Sequence, residues 1–195
     1  MLDRATTIAL IAVGLAACST VRATNPPRTA TEELLISTAA DRAADRLAPA
    51  IALGTKVFVD ATLFDGTDVK YATAAVRDRL LKLGAYLVPD RKHADMVVEL
   101  RAGALGIDEH SFLVGIPSFG VPVPLAGTLQ IPEFALYKRA VRKGIAKFAV
   151  TGYDAKSGAL RDSAAAQYGL SHYKDWTLLF LISWHKDDVL PKDDE

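Results

Sequence analysis

One cysteine in 195 residues excludes a good deal of chemistry at the outset. A lone Cys18 forms no disulfide within the chain and cannot build a cysteine-based zinc site. Charge of one sign is equally scarce: Lys plus Arg is 23, Asp plus Glu is 23, and the formal net charge is zero. A neutral chain lacks the basic footprint that nucleic acid demands. His93, His110, His172 and His185 form no His-x-x-x-His pair. No Gly-x-Ser-x-Gly elbow, phosphate-cradling glycine loop or His-Glu-x-x-His occurs either. Asp108-Glu109-His110 is the one place where metal-ligand types adjoin, but three consecutive strand residues cannot all point one way. A solvated turn is the better account there. The expectation is a protein that is not an enzyme, with no catalytic residue, metal or cofactor.

What is present begins at the amino terminus. Ala5 to Cys18 is largely apolar, yet shorter than the roughly 20 residues of a transmembrane helix. With Arg4 and the free amine in front, it fits the core of a secretory signal. Its last residues, Leu15-Ala16-Ala17-Cys18, resemble the lipobox of bacterial lipoproteins. That resemblance implies cleavage before Cys18, a diacylglycerol on its sulfur and an acyl chain such as palmitate on the new amino terminus. A thiolate is the nucleophile such chemistry needs. Ser19, not aspartate, follows. In a two-membrane bacterium the resemblance therefore implies the outer membrane, with the domain facing the periplasm. The expected organisation is a signal peptide over 1–17, lipidated Cys18 with a flexible tether to residue 30, and one domain over 31–195.

Within that domain the periodicity predicts two helices. The first opens at Thr31-Glu32-Glu33, a capping residue with acids where the helix dipole favours them, and carries Leu35, Ala39, Ala43 and Leu47 on one stripe. The second runs from about Asp68 to Leu83 and stops at Gly84. Lys56–Asp60 and Ala85–Val88 read as short strands. Asp95 to Ile107 alternates apolar and polar residues as a strand with one wet face does. Ile145–Tyr153 and a strand beginning Ala159-Leu160 flank Asp154-Ala155-Lys156-Ser157-Gly158, a hairpin closed by glycine. This order predicts an α+β domain with a mostly antiparallel sheet and helices packed on one face.

The hairpin Asp154-x-x-Ser157-Gly158-x-Leu160 resembles that of periplasmic lipoprotein domains from the curli-secretion channel and from activators of penicillin-binding proteins. Thr24 to Glu32, Gly115-Ile116-Pro117-Ser118, Val121-Pro122-Val123-Pro124 and Ile131-Pro132-Glu133 resemble blocks of an uncharacterised bacterial lipoprotein family. No activity comes with that resemblance. The usual Glu-Arg segment after the second helix is replaced here by Pro89-Asp90-Arg91, a departure from the channel pattern.

Two uncharged segments remain. Phe112 to Ile131 holds three prolines and three glycines, and proline at that density argues against both helix and ladder strand. It is either a loop packed on the core or an apolar surface for a partner or lipid. Trp176 to Trp184 reads as a central strand buried on both faces, with a membrane-facing strand as the sharper alternative. Lys138, Arg139, Arg142 and Lys143 are expected as a solvated face, with an anionic partner such as lipid headgroups as the other reading. The sequence thus points to a lipid-anchored envelope protein of binding or assembly type. Its favoured contact with another envelope component is Ile116, Pro117, Phe119, Val121 and Pro122. A hydrolase or carrier with residues 112–131 as a lid is the alternative, and a subunit of an oligomeric pore the third.

Overall fold

The computed structural model describes residues 28–123 and 127–190. Cys18, the signal peptide and most of the tether lie outside the described residues.

Helix α1 spans Ala30–Asp45, and its cap is Thr29 rather than Thr31. The reason is reciprocal hydrogen bonding. Thr29 Oγ1 accepts from the Glu32 N–H at 3.3 Å, and the Glu32 carboxylate accepts from the Thr29 N–H at 2.7 Å. That backbone donor holds the Glu32 carboxyl below its ordinary range. Arg28, placed in the tether by the sequence, pairs with Asp68 at the head of the second helix. The buried side of α1 is nearly all small: Leu35, Ile36, Ala39, Ala40, Ala43 and Ala44. So thin a face lets the helix backbone approach a sheet closely.

Strand β1 (Lys56–Asp60), helix α2 (Val69–Lys82) and the short β2 (Tyr86–Leu87) form a parallel β-α-β unit. Ala72, Val76 and Leu80 are the buried stripe of α2, and Gly84 beyond its end adopts φ +90°. Three long strands follow: β3 (Met96–Ile116, 21 residues), β6 (Phe134–Asp154, 21 residues) and β7 (Leu160–Leu178, 19 residues). Between β3 and β6 lies a separate hairpin of β4 (Phe119–Val123) and β5 (Gly127–Ile131), and β8 (Ile182–Asp187) returns from β7. The main sheet has six strands in the order β2-β1-β3-β6-β7-β8. It is mostly antiparallel, and with the two helices it makes an α+β domain.

The core sits at one end of this sheet. Val57, Met96, Val98, Leu100, Phe148 and Val150 pack with α1 and α2, and Phe64 meets Phe148 edge-on with ring centroids 5.0 Å apart. On the strands under α1, Gly144 and Gly169 leave room for the backbone of Leu35 and Ala39. Between them the buried Ser171 hydroxyl donates to the Leu35 carbonyl at 2.6 Å. The turn after β6 is the expected hairpin. Asp154 accepts from the N–H groups of Lys156 and Ser157, from the Ser157 hydroxyl and from Arg161, which together hold its carboxyl far below the usual range.

Four expectations need correction. Asp108-Glu109-His110 is not a turn but lies in β3, paired with Val141–Lys143 of β6. The proline-rich segment does form ladders, in β4 and β5. Of its prolines, Pro117 falls in the break between β3 and β4, and Pro124 lies outside the described residues. Pro122 faces Thr128 in a two-stranded hairpin, where every second N–H has no ladder partner. Trp176 to Trp184 is no central strand. The chain reverses over Leu179–Leu181 and sets Trp184 opposite Trp176 in a hairpin whose second strand, β8, is a sheet edge. No turn residue marks that reversal. Leu179 and Phe180 take φ of +49° and +51°, and their N–H groups donate to the carbonyls of Leu136 and Ala135 at 2.8 and 2.9 Å. Finally, of the described part of this segment, Phe112–Ile116 continue β3 in the main sheet, while 119–123 and 127–131 form their own two-stranded hairpin and not a loop packed on the core.

Candidate functional site

Beyond Gly144 and Ser171, on which Leu35 of α1 is seated, β3, β6, β7 and β8 continue as a four-stranded arm. Directly opposed residues of an antiparallel ladder share a face, and neighbours along a strand alternate. The register therefore sorts every side chain. One face carries, rung by rung toward the tip, Phe112, Arg139, Trp176 and Trp184, then Val114, Tyr137, Leu178 and Ile182. The other carries Glu109, Arg142, Tyr173 and Asp187, then Ser111, Ala140, Asp175 and His185, then Leu113, Lys138, Thr177 and Ser183.

The first face is apolar apart from Arg139, and uncovered. Phe112 is 60% exposed and Trp184 46%, and at the tip Leu181 reaches 77%. The Trp176 and Trp184 rings stack, 6.0 Å apart and 9° from parallel, and Phe112 lies 6.3 Å from Tyr137. Phe134 packs on Phe180 of the β7–β8 turn at 4.5 Å. A reversal made of Leu179, Phe180 and Leu181 is unusual chemistry for a turn in water, where Gly, Asn and Asp are the usual choices.

The opposite face is an ion-pair network. Arg142 donates to Asp175 at 3.1 Å, lies 3.8 Å from Glu109 and sits over the Tyr173 ring at 5.4 Å. Lys138 reaches Glu133 at 2.8 Å, and Tyr173 stacks on His185 at 5.5 Å. Burial, with Asp175 and Asp187 nearby, raises the Tyr173 hydroxyl above its ordinary pKa. An open concavity of about 470 Å³ lies on this side, lined by Glu109, Arg142, Asp175 and His185 among others. Asp108 and His110 project from the other face, so the three adjacent candidate ligands do not converge. Among the described residues no group of three His, Cys, Asp or Glu side chains is placed to hold a metal ion.

All five sequence-predicted contact residues fall on the outer ribbon and are exposed. Ile116 ends β3, Pro117 lies in the break after it, and Phe119, Val121 and Pro122 are in β4. In that hairpin Phe119 faces Ile131 and Val121 faces Leu129, while Gly120 faces Gln130 and Pro122 faces Thr128. The hairpin is thus two-sided in the same way as the arm. Reasoning from one strand at a time missed Trp176, Trp184, Leu178 and Ile182 as members of this surface. Their lack of charge was visible, but not the register that joins them to Phe112 and Tyr137.

Among the described residues no helix is long and apolar enough to cross a membrane, which leaves strands untouched. A family model described as "Family of unknown function (DUF6655)" matches residues 12–174. No curated protein matches the chain.

Proposed function

We propose, for a chain that belongs to this family of unknown function, a non-enzymatic role as a lipid-anchored envelope protein whose β-arm works in the apolar layer of the outer membrane. The observation that carries the reading is the sorting of the arm into an apolar aromatic face and a charged, hydrogen-bonded one. Water would favour polar residues on both sides of a thin sheet, whereas hydrocarbon on one side favours this division. The two tryptophans stand where that face meets charged residues, a position in which amphipathic rings are enriched at membrane interfaces.

The anchor and the arm support each other. The amino end of α1 lies toward the arm, with Leu35 against Gly144 and Ser171. Its carboxyl end points away, with Arg46 on the Tyr168 carbonyl. About ten residues separate Cys18 from Arg28, an extended reach of at most roughly 36 Å. A lipid on Cys18 and the apolar face then meet the same membrane. In this reading both helices cover one face of the sheet, and the component contacted by Ile116, Pro117, Phe119, Val121 and Pro122 is the bilayer.

A second reading is favoured by the arm's two open edges. β3 beyond Glu99 pairs with β6 alone, and β8 pairs with β7 alone. Backbone groups in hydrocarbon must be paired. The edges run antiparallel, so β8 of one copy could join β3 of the next and a ring of copies would enclose the polar faces.

Trp176 and Trp184 are the chain's two tryptophans, so tryptophan emission reports the arm alone. Full-length protein synthesised without membranes, so that Cys18 carries no lipid, is mixed with phosphatidylcholine vesicles brominated on their acyl chains. The expected result is quenched, blue-shifted emission. Emission unchanged by the vesicles would refute the membrane reading.

A further inference from the structure

Just below the tryptophan rung, on the apolar face, the chemistry changes abruptly. The next two rungs toward the core carry His110, Val141, Lys174 and Lys186, then Asp108, Lys143 and His172. Three lysines stand there against one carboxylate. Lys174 lies directly opposite Lys186, an arrangement of like charges that destabilises a strand pair unless something neutralises it. Among the described residues none of the three pairs with a carboxylate, nor does Arg139 on the tryptophan rung, whereas Lys138 and Arg142 on the opposite face do. The Asp188 carboxylate nearby is engaged with Arg42 and the His172 N–H.

We propose that Lys143, Lys174 and Lys186 seat the phosphates of anionic lipid headgroups. The inference rests on the membrane reading above and adds to it a lipid class and a depth. Phosphate is the charge-complementary group for a lysine cluster, since each ammonium acts as a point donor to its oxygens. The stacked tryptophans lie one rung further out and the apolar rungs beyond them, which is the order headgroup, interface, hydrocarbon along a membrane normal. The lysines therefore stop the arm at a fixed depth, with α1 and the core outside the bilayer. Only Lys143 of the basic run in β6 takes part. Its neighbour Arg142 projects from the opposite face, and the other two lysines come from strands that carry no basic run.

The test uses the same membrane-free, full-length protein and the same tryptophan quenching. Brominated phosphatidylcholine vesicles are compared with vesicles in which a third of the lipid is phosphatidylglycerol. The wild type is expected to need far less lipid in the anionic vesicles, an advantage that fades with salt. The triple variant K143Q/K174Q/K186Q should lose on the order of a hundredfold of that advantage, from about fivefold per lysine at an anionic surface. Its quenching in phosphatidylcholine alone should not change. A control with the remote lysines replaced (K70Q/K92Q/K156Q) should retain the advantage. Lys186→Gln alone, on the edge strand, should lose about fivefold and serves if the triple variant fails to fold. Equal loss in the remote-lysine control, or no loss in the triple variant, would overturn the seat. So would full competition by inorganic phosphate at matched ionic strength, since the site would then take free phosphate. If the wild type is quenched in neither vesicle, the membrane reading itself has failed, and that outcome is distinct from the others.

Discussion

Replacing Gly169 by alanine tests the closest approach in the domain. The added methyl would fall well inside contact distance of the Ala39 carbonyl oxygen, 2.5 Å from the Ala43 nitrogen and 2.9 Å from the Ala39 carbonyl carbon. All three atoms are helix backbone, so no side chain can swing aside. Helix α1 would have to retreat on the order of 1 Å, and overpacking of this kind costs about 1–3 kcal/mol. The upper end is expected because retreat also loosens Leu35, Ala39 and Ala43, each wholly buried. For a domain of this size, about 3 kcal/mol lowers the melting temperature by roughly 6–12 °C. Gly106→Ala is the matched control, since an added methyl there meets nothing within 4 Å. It should shift stability by no more than about 0.5 kcal/mol, the ordinary range for a surface change. Thermal and urea unfolding followed by circular dichroism measures both. If the Gly169→Ala protein melted within a degree or two of Gly106→Ala, the tight seating of α1 would be refuted. The proposed placement of the amino terminus toward the arm would be refuted with it.

Two further outcomes are expected. The Asp154 carboxyl is depressed in the folded state by the N–H groups of the turn and by Arg161. Its stabilising effect is therefore complete above the unfolded value of about 3.9 and fades as pH falls below it. Asp154→Ala should then destabilise equally at neutral and mildly acidic pH but less at about pH 3; urea midpoints showing a constant gap would refute the assignment. If copies close a ring through the β3 and β8 edges, the protein extracted in detergent should elute as one large, discrete species, and a monomer alone would remove that reading.

Much of the fold follows from local chemistry. Apolar spacing located α1 and α2, although the cap moved to Thr29, because only there does Glu32 stand at the position that closes a capping box. Asp154, Ser157 and Gly158 announced their turn through side-chain acceptors and a positive φ. The reversal at Leu179–Leu181 carried no such mark, so Trp176–Trp184 looked like one strand of a core. The prolines of residues 112–131 argued against strands because their cost depends on whether a neighbouring strand needs the missing N–H, and a two-stranded ribbon does not. Ile116, Phe119 and Val121 stood out from the absence of charge around them. Lys174 and Lys186 did not, being 12 residues apart on either side of the uncharged run Trp176–Trp184.

The sequence by itself determined the single cysteine and so the absence of an internal disulfide, the neutral charge, the lipobox resemblance at Cys18, and the presence of two uncharged segments. Only the tertiary structure decided how those segments are arranged. Whether a side chain on a strand faces its apolar or its charged neighbours depends on the register of four strands far apart in the chain. A shift of one residue would exchange the two faces. The division into Phe112, Tyr137, Trp176 and Trp184 on one side, and Glu109, Arg142, Asp175 and His185 on the other, is a property of that pairing and of no single stretch.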